Sequence, residues 1–222
     1  MRDKILAYAN WPDISESDNC LFIGHFYNPV KKVSYNGSDS VHALNRFNIH
    51  LNAFWPRLQK LVKIPASRLA QARDYFPPTR PPCGRGGCDF IESLQPNQEL
   101  LSIKNEIEEI SIHIGSALHY MADMAMPYHA KNVTAPISLH TPYERDVRLN
   151  QDKYLTRNYE GTLPIFTGDF FGDMDNIALS GSRLAYDSYD ALFVDPFSAT
   201  RIVLYKNQRM VAEFFYLLFH YI

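Results

Sequence analysis

The chain is poor in several features that would each have fixed its class. It has only three cysteines in 222 residues, Cys20, Cys83 and Cys88, so a four-thiolate zinc site is excluded. Cys83 and Cys88 end a Gly-Arg-Gly-Gly loop in which a local disulfide is sterically allowed, and Cys20 is left over, so the redox compartment stays open. No run of about 20 apolar residues exists: the best stretch, Val211 to Ile222, is short and broken by Glu213 and His220, so no membrane span is expected. The first residues, Met1 to Tyr8, carry both charge signs and lack the apolar run of a signal peptide. There is no basic excess either: Lys and Arg number 22 against 24 Asp and Glu, a net charge of -2. Binding to duplex nucleic acid by charge alone is therefore not expected. What is abundant is aromatic surface, 14 Tyr and 14 Phe against only 10 Gly, in a chain that is 46% hydrophobic. Such a composition excludes disorder and fits one globular domain over residues 1–222.

Helical periodicity dominates the pattern. Leu44, Phe47, Leu51, Phe54, Leu58 and Leu61 repeat at helical spacing after Ser38-Asp39-Ser40, which predicts a helix from about residue 40 that Pro56 kinks or divides. A short helix over 66–75 follows, then a Pro- and Gly-rich loop from Pro77 to Cys88. Leu100, Ile103, Ile107, Ile110, Ile114, Leu118 and Met121 form one stripe of a long buried helix that ends at Pro127. Thr141-Pro142 starts another helix through about Arg157, residues 158–176 read as a loop, and helical patterns return over 177–192 and from about Thr200 to the end. With no alternating strand run and no internal repeat, the fold class is all-α, a multi-helix single domain.

Several histidines stand near carboxylates at spacings that suit a metal. His119 and Asp123 are four apart on the long helix, so their side chains project from one face a turn apart. Pro127 cannot donate to the Asp123 carbonyl, so the helix breaks and redirects His129. His140 and Glu144 form a second pair four apart, and with His129 they make a three-ligand set that leaves a fourth position for water. Each pair alone is commonly an ordinary surface pair. Glu144 has a rival role in a capping box, Thr141-Pro142-Tyr143-Glu144, where it would bond back to the Thr141 backbone. The joint order His119, Asp123, His129, His140, Glu144 within 26 positions favours the metal reading.

The segment Gly115-Ser-Ala-Leu-His119-Tyr-Met-Ala-Asp123-Met-Ala-Met-Pro127-Tyr-His129-Ala-Lys-Asn132-Val-Thr134-Ala, followed by His140 and Glu144, resembles the signature of the bacterial zinc-dependent phospholipases C. Phe22-Ile-Gly-His25-Phe26-Tyr27-Asn28-Pro29 resembles that family's His-Phe-Tyr-Asp-Pro motif, and Trp11-Pro12-Asp13 the aspartate that precedes it. The resemblance implies an all-α fold of the zinc phospholipase C and P1 nuclease type. It assigns His25, His119 and Asp123 to one zinc with Asp13 beside it as ligand or general base, and His129, His140 and Glu144 to a second. Phe22 takes the position of a headgroup-contacting aromatic, and Asn132 is a second candidate for substrate contact. A phospholipid substrate, transient contact with a membrane surface, and extracellular or periplasmic action follow from the same likeness. In the family a third zinc uses an upstream Trp and His; only twelve residues precede Asp13 here, so the resemblance implies a phospholipase C-like domain lacking its amino-terminal helix, with the third site expected to be empty and the long helix to show uncovered apolar surface.

The single-strand-specific nucleases of the S1 and P1 kind share the fold and most ligands. The short gap from His129 to His140, Glu144 at the end of the second set, and Phe22 lean toward the lipases; Trp11-Pro12-Asp13-Ile14 reads more like the nucleases. A third reading is a zinc-binding relative in which the metal mainly holds helices together. The remaining histidines have bland readings. His42 and His50 flank Arg46, whose cation would repel a metal, His113 faces away from His119, and His220 ends the chain. Asn132-Val133-Thr134 is formally a glycosylation sequon, but its place inside the proposed site favours a structural role for Asn132.

Overall fold

Residues 2–10, 12–13, 23–77, 96–134, 138–154 and 163–222 are described by the structure, a computed structural model. The Phe22, Cys20, Cys83 and Cys88 expectations lie outside these residues. The described elements are helices α1 (Arg2–Tyr8), α2 (Ala43–Leu61), α3 (Ala66–Arg73), α4 (Gln98–Met124), α5 (Pro127–Ala130), α6 (His140–Tyr154), α7 (Phe170–Ser188) and α8 (Pro196–Tyr221), with 3-10 turns at Ile23–His25 and Asp190–Phe193. Among the described residues there is no strand, only an isolated antiparallel bridge between Asn28 and Val33. The all-α expectation holds.

The centre is the α2–α4 pair. Phe47, Leu51 and Phe54 from α2 and Ile110, Ile114 and Met121 from α4 are fully or almost fully buried. Against them lie α7 and α8, whose Met174, Ala178, Met210, Phe214 and Leu217 close the same core, with the Phe214 ring meeting Phe47 and Phe54. Burial of each such side chain stabilises by about 1.5–3 kcal/mol. Asn97 caps α4 by accepting from Leu100 N at 3.0 Å, which sets the start of a 27-residue helix whose other end carries His119 and Asp123.

Four element expectations need correction. Pro56 does not divide α2, which runs through it. Proline removes one amide donor, and the carbonyl it would have served belongs to Asn52, an exposed residue that water can satisfy. Residues 170–176 are not loop but the first turns of α7. Gly172 and the acidic residues around it carry loop composition, yet Phe170 stacks on Trp55 with ring centroids 3.9 Å apart, and tertiary burial overrides the local signal. α8 begins at Pro196, because Asp195 caps it by accepting from Ser198 N at 3.1 Å and proline suits the first turn. Finally, α4 exposes no large apolar side chain: α1 lies along it and Ile5 is 7% exposed. The expected bare surface on the long helix is therefore not present.

Candidate metal centre

At the carboxyl end of α4 the sequence places His119 and Asp123 one turn apart, and Pro127 starts the four-residue α5 that turns His129 back toward them. His25 arrives on the 3-10 turn Ile23–His25. That turn is fixed by its neighbours: the Ser34 hydroxyl donates to Ile23 O at 2.7 Å, Ala43 N to Phe26 O at 3.1 Å, and Asn28 Oδ1 accepts from Val30 N and Lys31 N. His140 opens α6, and Glu144 follows one turn later.

The structure brings seven of the sequence candidates together. His25 Nδ1 is 2.7 Å from Asp123 Oδ2 and 3.1 Å from His119 Nε2, and His119 Nε2 is 3.1 Å from the same carboxylate oxygen. Asp13 Oδ1 lies 3.6 Å from His119 Nε2 and 3.9 Å from His25 Nδ1. In the second group His129 Nε2 is 2.9 Å from His140 Nε2, and Glu144 Oε1 is 2.8 Å from His140 Nε2 and 3.5 Å from His129 Nε2. Asp123 joins the groups, since its other oxygen, Oδ1, is 3.3 Å from His129 Nδ1.

These spacings fit a metal. A tetrahedral zinc with bonds of about 2.0–2.1 Å holds its donor atoms roughly 3.3 Å apart, and the separations above straddle that value. The donor set, imidazole nitrogens and carboxylate oxygens, also suits zinc. Asp13, His25 and His119 form one group able to hold an ion, and His129, His140 and Glu144 another. The capping role weighed for Glu144 is not its bond here: α6 begins at His140, so Thr141 is already inside the helix, and Glu144 turns to the histidines.

The electrostatics reflect the packing of charge. Burial alone would lower His119 and His129, but the Asp123 carboxylate beside both, with Asp13 at His119 and Glu144 at His129, raises each to about 9. Burial pushes Asp123 upward, and the His119 and His129 charges overcome it and hold it well below the usual carboxylate range. Glu144 behaves likewise, its burial outweighed by hydrogen bonds from His129 and His140 that bring it down to about 2.

Some partners carry no readable signal in the sequence. His119 Nδ1 donates to the Ala9 carbonyl at 2.8 Å; a backbone acceptor has no residue type to search for. Phe26 packs on His129 with centroids 4.6 Å apart, and Tyr128 stacks on His140 at 5.4 Å, 4° from parallel. Phe26 and Tyr128 stand next to His25 and His129 in the chain, so adjacency could have pointed to them. Asn132, at φ 59°, donates from its side-chain amide to Val33 O at 3.1 Å and ties the loop after α5 to the His25 turn. The other histidines stand apart. His42 caps α2 by accepting from Asn45 N. His50 Nδ1 meets His113 Nδ1 at 2.9 Å, a pairing that separate reading of the two helices did not reveal. His220 packs on Phe166.

Comparison with known proteins points one way. Two curated proteins, each named Phospholipase C, from Clostridium novyi and Paraclostridium bifermentans, are 42% identical to the chain over 52 residues, which is 23% of this chain and 13% of each relative. The solved Alpha Toxin from Clostridium Absonum matches with a TM-score of 0.63 at 16% identity, over 96% of this chain and 52% of that one. At that identity the likeness is one of fold, and the chain spans about half the length of the solved relative. No family model matches the chain.

Proposed function

The chain resembles the bacterial phospholipases C in fold and in one stretch of sequence, and from that premise we propose that it is a zinc-dependent phosphodiester hydrolase of the phospholipase C type, acting on a glycerophospholipid. In this reading Asp13, His25, His119 and Asp123 hold one zinc, and His129, His140 and Glu144 a second. The observation that carries it is the Asp123 carboxylate, with one oxygen toward each group of imidazoles. Four histidines and two acids are gathered around it, and three of them, His25, His129 and His140, are buried; such a cluster is costly as a purely structural one and is repaid by bound cations.

Zinc, when bound, supplies Lewis acidity toward a phosphate and makes water acidic near neutral pH. The protein's own part begins with Asp13. Its side chain is 54% exposed, against 4% for His25 and 12% for His119. Asp13 is thus the member of the group at the mouth, where it serves either as a further ligand to the first zinc or as the base that orients a water and accepts its proton. His119 directs Nδ1–H at the Ala9 carbonyl, so when the imidazole gives up its other proton, Nε2 is the nitrogen left to accept or to bind metal. Phe26 and Tyr128 wall the second group on the inner side and exclude water there. Phe22 and Asn132 are assigned to substrate contact, and action outside the cell or in the periplasm to the whole, on the family resemblance.

Purified chain should hold about two zinc ions and release phosphorylated headgroup from phosphatidylcholine vesicles faster than it degrades single-stranded DNA at matched zinc and pH. Less than one metal per chain would end the metal reading. Faster cleavage of the DNA would move the assignment to the S1 and P1 nucleases, and zinc binding without either activity to a structural-zinc relative.

A further inference from the structure

The amino-terminal helix meets α4 at one residue with no side chain. A Cβ at Gly115 would stand 2.8 Å from Ile5 O, 2.8 Å from the Tyr8 carbonyl carbon and 2.8 Å from Tyr8 Cβ. Two of these atoms are backbone, so no rotamer change relieves the clash, and any larger residue must lift α1 off α4. Gly115 has an ordinary helical conformation; what it supplies is closeness, not freedom of φ. One turn further along α4 stands His119, and one residue beyond the end of α1 stands Ala9, whose N–H continues the helix by donating to Ile5 O at 3.0 Å. The carbonyl of Ala9 accepts the His119 Nδ1 proton. Lower on α4, Glu108 accepts from the Tyr8 hydroxyl and pairs with Lys4, which fixes the rotation of α1 about the contact.

We propose that Gly115 is a positioning residue for the first metal group: it lets α1 lie on α4 closely enough for the Ala9 carbonyl to hold His119 with Nε2 facing Asp13, His25 and Asp123. This rests on the zinc reading above. A carbonyl can only accept, so in the neutral ring the bond selects the tautomer in which Nε2 carries the lone pair, and in either protonation state it fixes the ring plane. The second group is carried by α5 and α6, and it meets the first only at Asp123, whose other oxygen faces His129. The device therefore acts on His119 directly and leaves the ligands of the second group in place, so the first site should respond much more than the second.

The test measures zinc affinity by chelator competition in two backgrounds. His140→Ala leaves the first group as the binding site, and His25→Ala leaves the second. Adding Gly115→Ala should weaken zinc binding about 10- to 100-fold in the His140→Ala background and much less in the His25→Ala background. An unchanged affinity in the first background, or an equal fall in both, overturns the proposal while leaving the two-zinc reading intact. Absence of zinc binding in the unaltered chain overturns that reading and the proposal with it. Should Gly115→Ala lose its helical circular dichroism, Ile5→Ala decides in the same two backgrounds, because it loosens α1 from outside the site; the same selective fall is expected, and its absence is again contrary.

Discussion

Asp123 has to satisfy two neighbourhoods with one carboxylate, and single substitutions should separate its role from that of the ligands around it. Asp123→Asn keeps the size and removes the charge between His119 and His129. Removing one partner of a buried ion pair costs about 3–5 kcal/mol, so zinc retention should fall at both groups, and elemental analysis should find well under the content of the unaltered chain. His140→Ala should instead strip mainly the second group, and an unchanged zinc content there would count against His140 as a ligand. The two pairs four apart, His119 with Asp123 and His140 with Glu144, were legible because helical spacing alone puts them on one face. That His25 and Asp13 join them was legible only through family likeness, since they lie about a hundred residues away in the chain. The Ala9 carbonyl and the fit at Gly115 were not legible at all. Neither a backbone oxygen nor the lack of a side chain declares its partner until helices pack.

At the level of elements, periodicity found α2, α3, α4 and the existence of α6 and α8, and it erred mainly at boundaries. The start of α8 was written in Asp195-Pro196, a cap followed by a proline suited to the first turn. The start of α7 was not, because Gly172 and three aspartates hide an apolar face that only the Trp55 stack makes plain. That end of α7 is held by Asp173, which accepts from Thr167 N at 3.0 Å, from Thr167 Oγ1 at 2.7 Å and from the Tyr221 hydroxyl at 2.7 Å. The opposite end of α7 is the one near α5, where Lys131 lies over the Tyr186 ring. Asp173→Ala leaves these donors without their shared acceptor and should cost about 1–3 kcal/mol in urea unfolding. Zinc content should be unchanged, because the network sits away from both metal groups. A drop in zinc with no drop in stability would mean that the two ends of α7 are coupled in a way the packing does not indicate.

For the whole molecule, the cluster proposed to hold metal also sets how the metal-free protein responds to pH. His119 and His129 are raised from 6.5 to about 9. Their contribution to stability is fully present below about 6.5 and is lost as pH rises through about 9. Asp123 and Glu144 run the other way. Glu144 is lowered from 4.5 to about 2 and Asp123 lies well below 3.8, so their contribution is present above 4.5 and is lost as pH falls toward 2. Metal-stripped chain should therefore be most stable between about pH 4.5 and 6.5, and its melting temperature should decline from pH 6.5 to 9. Zinc needs the unprotonated imidazole, so protons compete with it on the acid side and its binding strengthens as they leave. Whatever binds the folded chain alone adds to its stability. The difference in melting temperature between loaded and stripped chain should then widen steadily from pH 6 to 9, measured by scanning calorimetry on one preparation with and without chelator. A gap that narrows over that range would mean that His119 and His129 are not the groups exchanging protons for metal, and the site would have to be rebuilt around other donors.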